Sequence, residues 1–239
     1  MTRGILIVGN ESSLFAAASA EAAKRVQSYA AAIIPNRFTA ENQVSSGTRS
    51  VQGQDVKGQN VIPLAWNPVS AISARTLVLS AENRLKQIND AILICSPPAM
   101  FKSAETLTPK EIEILVDDHI KGWFFLIREL IQYFRQKGSG LLALAAPDID
   151  PGGEANRKNA PGRNNQIDLL GPSAAASFRC YSQGIIASLV NEPYQVMGFS
   201  GSEAGAEEEF AAWLFKILDE GSPKNSSRWH KYSRRGFFK

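Results

Sequence analysis

A chain of 239 residues with 44% apolar side chains is long enough for one sizeable core and short for two. Its 26 basic and 23 acidic side chains leave a net charge of only +3, and no basic amphipathic helix or aromatic-interleaved stripe invites nucleic acid. Two cysteines exclude a disulfide framework, and no stretch approaches the ~20 apolar residues of a membrane span, so the expectation is a cytoplasmic protein with reduced, at least partly buried thiols.

Gly4-Ile5-Leu6-Ile7-Val8 reads as a buried strand ended by Gly9-Asn10, too brief for a signal peptide. Ser12 or Ser13 caps an alanine-rich helix from Phe15 to Tyr29, and Ala30 to Ile34 is a second strand stopped by Pro35-Asn36. The chain thus opens strand, helix, strand, the pattern of a right-handed parallel unit. Thr39 to Gln59 is polar and interrupted by glycines, an insert of about 39–60 on the surface. Val61 to Leu64 is a third strand, Ala71 to Gln87 a helix and Ala91 to Cys95 a fourth strand closed by Ser96-Pro97-Pro98.

Thr108-Pro109-Lys110-Glu111 combines a cap, a proline at the first helical position and an acid three residues after the cap. The helix it starts runs to Arg135 with a break near His119 to Gly122, and carries Trp123, Phe124, Ile127, Leu130, Ile131 and Phe134 at helical spacing. Leu141 to Ala145 is a fifth strand, Asp148 to Gln166 a loop, Pro172 to Val190 a helix, Tyr194 to Phe199 a sixth strand and Glu203 to Leu218 a last helix. Residues 1–220 read as one Rossmann-like α/β domain, a doubly wound, mainly parallel sheet in three α/β/α layers. Residues 221–239 are a basic tail or a final sheet segment.

From about Gly4 to Leu218 this order resembles the short-chain dehydrogenase/reductase family, whose members bind NAD or NADP on such a sheet. The family's three-glycine turn is matched here by Gly9, with Ser13 and Phe15 at the second and third glycine positions. The resemblance implies a cofactor or phosphate at Gly9, Asn10, Ser12 and Ser13, where the helix's first amides hold an anion; a merely structural turn is the alternative. A ring at position 15 should push the helix off the sheet or point at the cofactor's place. Arg37 follows the second strand, where the family selects NADP through the ribose 2′-phosphate; a surface arginine explains it too. Asn67 falls near the adenine contact beside Trp66, and Ser96 stands in the turn that lines the nicotinamide ribose.

The family's catalytic residues are absent from their places. Its Ser position falls at Ala145 or Ala146, its Tyr at Ala175 and its Lys at Arg179, while the functional Asn of the central helix is His119. A methyl group transfers no proton. Arg179 keeps a fork suited to phosphate, ribose or carboxylate, and Tyr181 lies two residues away on a different helix face. Two separated histidines and scattered acids give no metal-ligand spacing.

Three functions follow. The first is a non-catalytic dehydrogenase-like protein that keeps a small-molecule cleft, with NADP ahead of NAD as its dinucleotide. The second is an unusual oxidoreductase, with His119 the candidate acid/base. The third is a structural subunit without a ligand. The resemblance also implies a homodimer or homotetramer built on the helices around Gly122 to Phe134 and Pro172 to Val190.

Overall fold

The computed structural model describes residues 3–34, 37, 61–148, 168–201, 205–221 and 229–233. The insert at 39–60, the loop at 149–167 and most of the basic tail lie outside these residues.

Seven strands alternate with helices. They are β1 (Ile5–Asn10), α1 (Ser13–Ala23), β2 (Tyr29–Ile34), β3 (Val61–Pro63), α2 (Ala71–Leu85), β4 (Asp90–Ile94), α3 (Pro109–Val116), α4 (Gly122–Lys137), β5 (Leu141–Pro147), α5 (Leu170–Ser188), β6 (Gln195–Gly201), α6 (Glu207–Glu220) and β7 (Trp229–Tyr232). The sheet order is β3-β2-β1-β4-β5-β6-β7, and every neighbouring pair is parallel. This is a Rossmann-like three-layer fold.

Side-chain alternation along each strand sorts the core into two layers. Leu6 and Val8 of β1 face α2, α4 and α5, whereas Ile5 and Ile7 face α1 and α6. Both faces are covered, which is why these strands read as unbroken apolar runs. At the opposite end from the site, Arg3 joins Asp90 and Asp219, and Arg25 joins Asp219 at 2.8 Å, stitching β1, β4, α1 and α6 together.

Several element limits differ from the sequence reading. Strand β1 continues through Gly9 and Asn10, because Gly9 pairs with both Ile33 and Ile94. Tyr29 opens β2 instead of ending a helix, and its ring is buried under α1. Helix α6 starts at Glu207 rather than Glu203; Gly205 precedes it at φ +81°, in the left-handed region that suits glycine. Cys95 is buried as expected, but Cys180 lies on the exposed side of α5. Thr108 forms the reciprocal capping box with Glu111. Between α3 and α4 the chain passes through one wide π turn, Asp117–Lys121. The turn ends on Gly122, where a Cβ would lie 2.4 Å from Pro68 Cβ.

Candidate functional site

Strand order reverses between β1 and β4, and the crevice beyond the carboxyl ends of these strands is where open α/β sheets hold ligands. Two recesses open there. The larger, about 290 Å³, lies between the first turns of α1 and α6, lined by Ser13, Leu14, Ser96, Ala146, Pro147, Asp148, Gly201, Ala206, Glu207, Phe210 and Tyr232. The smaller, about 110 Å³, is bounded by Asn10, Glu11, Ile34, Ser96, Pro98 and His119.

The β1–α1 turn is built around Phe15. Its ring packs inward, and a Cβ on Gly9 would sit 2.7 Å from Phe15 Cδ2. The missing side chain at Gly9 thus makes room for the ring, so Phe15 neither fills the crevice nor lifts α1 from the sheet. Ser12 caps α1, its hydroxyl accepting from the Phe15 amide at 3.2 Å, and Ser13 is exposed in the larger recess. Asn10 is buried; its Oδ1 accepts from the Ser96 amide at 3.2 Å while its Nδ2 donates toward His119 Nδ1 at 3.2 Å. Asn10 therefore ties β1, β4 and the π turn together at the switch point.

The π turn brings two consecutive polar residues inside: Asp118 is 1% exposed and His119 2%. Burial, then the nearby Arg37 charge, lowers the His119 pKa to about 4, so the ring is neutral at neutral pH. With Nδ1 accepting from Asn10, its proton sits on Nε2. Arg37, at the exit of β2, donates from Nε to Asp118 Oδ2 at 2.7 Å and from Nη2 to Asp118 Oδ1. The Nε–Nη2 edge of this fork is thus engaged by the chain's own carboxylate.

At the end of β5, Ala145 and Ala146 are buried, and Ala175 of α5 is buried one turn before Arg179. Arg179 Nη1 reaches Asp148 Oδ1 at 3.0 Å, and its guanidinium lies over the Trp229 ring at 5.2 Å. Lys231 pairs with the other oxygen of Asp148 at 2.5 Å. Burial alone would raise the Asp148 pKa, but the two cations outweigh it and hold the carboxyl below its ordinary range. Tyr181 points elsewhere and stacks on Phe124, ring centres 4.0 Å apart. Asn67 is exposed and caps a local turn by accepting from the Val69 amide at 3.2 Å. Trp66 is buried, its ring centre 5.4 Å from that of Trp123, and it lines neither recess.

The fold therefore gathers Gly9, Asn10, Ser12, Ser13, Ser96 and His119 around the switch point, sets Arg37 and Arg179 in ion pairs beside it, and leaves Asn67 on the surface. Sequence reading missed Asp118, Glu207, Phe210 and Tyr232 as parts of this region; it placed Asp148 in the loop after β5, where it stands, without singling it out as a site residue. Tyr232 reaches the crevice because β7 joins the sheet, inside the stretch 221–239 that the sequence left as a basic tail or a final sheet segment. Among the described residues no cluster of histidine, cysteine and acidic groups is arranged to hold a metal, and no helix is long and apolar enough to cross a membrane.

No protein-family model and no curated protein matches the chain. Solved structures match nearly all of it. A short chain dehydrogenase from Mycobacterium smegmatis is 12% identical with a TM-score of 0.68, over 98% of this chain and 94% of that one. Serine dehydrogenase from Escherichia coli is 12% identical with a TM-score of 0.67, over 96% of each chain. An NADH-dependent reductase complexed with NAD is 12% identical with a TM-score of 0.67, over 97% of this chain and 95% of that one. At such identity the likeness establishes the fold: the chain has the three-layer architecture of the short-chain dehydrogenases.

Proposed function

We propose that the chain is a divergent short-chain dehydrogenase-like protein that binds a dinucleotide, or another phosphate-bearing small molecule, without hydride transfer. The observation that carries this reading is the wall of the larger recess at β5. Where the family's chemistry needs a hydroxyl the wall offers Ala146 and Pro147, and the α5 face leading to Arg179 offers the methyl of Ala175. Neither moves a proton. Binding draws support from Ser13 at the exposed N-terminus of α1, whose first amides favour an anion. NAD and NADP are the ligands to test first.

A second reading, an unusual oxidoreductase, has one observation in its favour: Tyr232 and Ser96 both line the larger recess and supply hydroxyls from unexpected elements. Titration with NAD and NADP, followed by an NAD(P)H oxidation assay on simple ketones and aldehydes, separates the two. Saturable binding with no protein-dependent turnover is the expected result. Turnover that disappears in Tyr232→Phe moves the weight to the second reading, turnover lost in His119→Asn to the histidine. If neither dinucleotide binds, the ligand assignment falls.

A further inference from the structure

Strand β7 is fastened by more than its four-residue ladder with β6, and the extra ties converge on Asp148. Lys231 reaches past β6 to Asp148 Oδ2 at 2.5 Å, just beyond the end of β5. Asp148 Oδ1 takes Arg179 Nη1 at 3.0 Å, and the guanidinium so held lies 5.2 Å from the centre of the Trp229 ring. One carboxylate thus grips β7 at two places, directly at Lys231 and through Arg179 at Trp229. We propose that β7 is a strap over the larger recess, clasped by Asp148, that opens as a unit and carries the Tyr232 wall of the recess away with it. Its consequence for binding rests on the nucleotide reading above: a ligand in the recess and a closed strap reinforce each other, because Asp148 and Tyr232 both line the space it fills.

The seat of the strap is shaped to receive it. Trp229 lies in a notch at Gly198, where a Cβ would fall 2.0 Å from its ring, and its indole N–H donates to the fully buried Ser200 hydroxyl at 2.9 Å. Tyr232 closes against Phe210 and Trp213 of α6, with ring centres 5.9 and 5.4 Å away. The clasp itself is fixed at its base, because the Asp148 amide donates to the Gly201 carbonyl at 2.8 Å. Its grip is weaker than its base: the Lys231 side chain is 61% exposed, so salt screens that pair. A strand of four residues with one neighbour opens at lower free energy than β4 and β5, which are paired on both sides.

Hydrogen exchange on the full chain, corrected for intrinsic rates, tests this first without ligand. The β7 amides of the parent should exchange about tenfold or more faster than those of β4 and β5. Asp148→Asn, which removes both ties, should quicken them by about another fivefold while β4 and β5 keep their rates. Lys231→Met should give a smaller rise. Sodium chloride at about 1 M should quicken β7 in the parent and leave Asp148→Asn nearly unchanged. NAD added at about ten times its Kd should then slow β7 exchange in the parent about tenfold.

Amides of β7 that exchange no faster than those of β5 overturn the strap, and so does a cooperatively melting Asp148→Asn whose β7 keeps the parent's rate. Lys231→Met decides the same question should Asp148→Asn not fold. NAD that binds the parent and leaves β7 exchange unchanged overturns the coupling to the recess. Absence of NAD binding strikes the nucleotide reading alone, because the ligand-free comparison still decides whether Asp148 clasps β7.

Discussion

His119 ties the site to the pH dependence of the fold. Its pKa is lowered from 6.5 to about 4 by burial and then by Arg37, so the unfolded chain takes up the proton first. The neutral ring's contribution to stability is therefore complete above pH 6.5 and drains away as pH falls toward 4, by at most about 3 kcal/mol. Urea unfolding at pH 7 and pH 4 should show the parent losing about 2–3 kcal/mol more than His119→Asn, which has nothing to protonate. Parallel losses in the two proteins would mean the ring is not held neutral. Asp118 is raised by burial and shifts stability in the opposite direction, but it is common to both proteins. Arg37 carries a different lesson. Replacing it alone leaves Asp118 buried and unpaired, so a weakened ligand in that single variant would report on folding before it reported on recognition.

At the scale of elements, the contact between β1 and α1 is the most exacting in the first half of the chain. A methyl at Gly9 would meet Phe15 Cδ2 at 2.7 Å and the Ile94 carbonyl at 3.1 Å. Gly9→Ala should cost about 1–3 kcal/mol in chemical denaturation, and adding Phe15→Leu should recover part of it. A neutral Gly9→Ala would place the ring elsewhere. This contact also marks what a sequence can disclose. The strands were legible because burial on both faces leaves continuous apolar runs, and Thr108 announced α3 through local capping chemistry. The inward turn of Phe15 was not legible, because position 15 reads the same whether the ring faces sheet or ligand. Nor were the pairs Arg37–Asp118 and Arg179–Asp148, whose partners lie 81 and 31 residues apart with no local pattern to join them. The break in the long helix was visible near His119, but the π turn there, and the side chains it turns inward, arise from packing against Asn10 and Pro68.

For the whole molecule, the broad apolar stripe of α4 is mostly consumed within one chain. Trp123, Ile127, Leu130 and Phe134 are fully buried, leaving Phe124, stacked on Tyr181, and Ile131 as partly covered surface. Self-association through α4 and α5 remains the expected assembly, on a narrower patch than the stripe suggested. Sedimentation across a wide concentration range should show a species heavier than the 26.0 kDa chain. Tyr181→Ala should shift it toward monomer while the cooperative melt is retained. A sedimenting mass of one chain throughout would remove the assembly.

The two outer strands of the described sheet are its shortest, with three residues in β3 and four in β7. Pro63 withholds an amide from one rim, and Lys231 places a charge on the other. They work as guards. Behind β3 lies Tyr29-Ala30-Ala31-Ala32-Ile33-Ile34, an uncharged run suited to recruiting further strands. Heat or crowding that peels β3 away would uncover it, so clouding on warming should begin at that rim while the central strands remain paired.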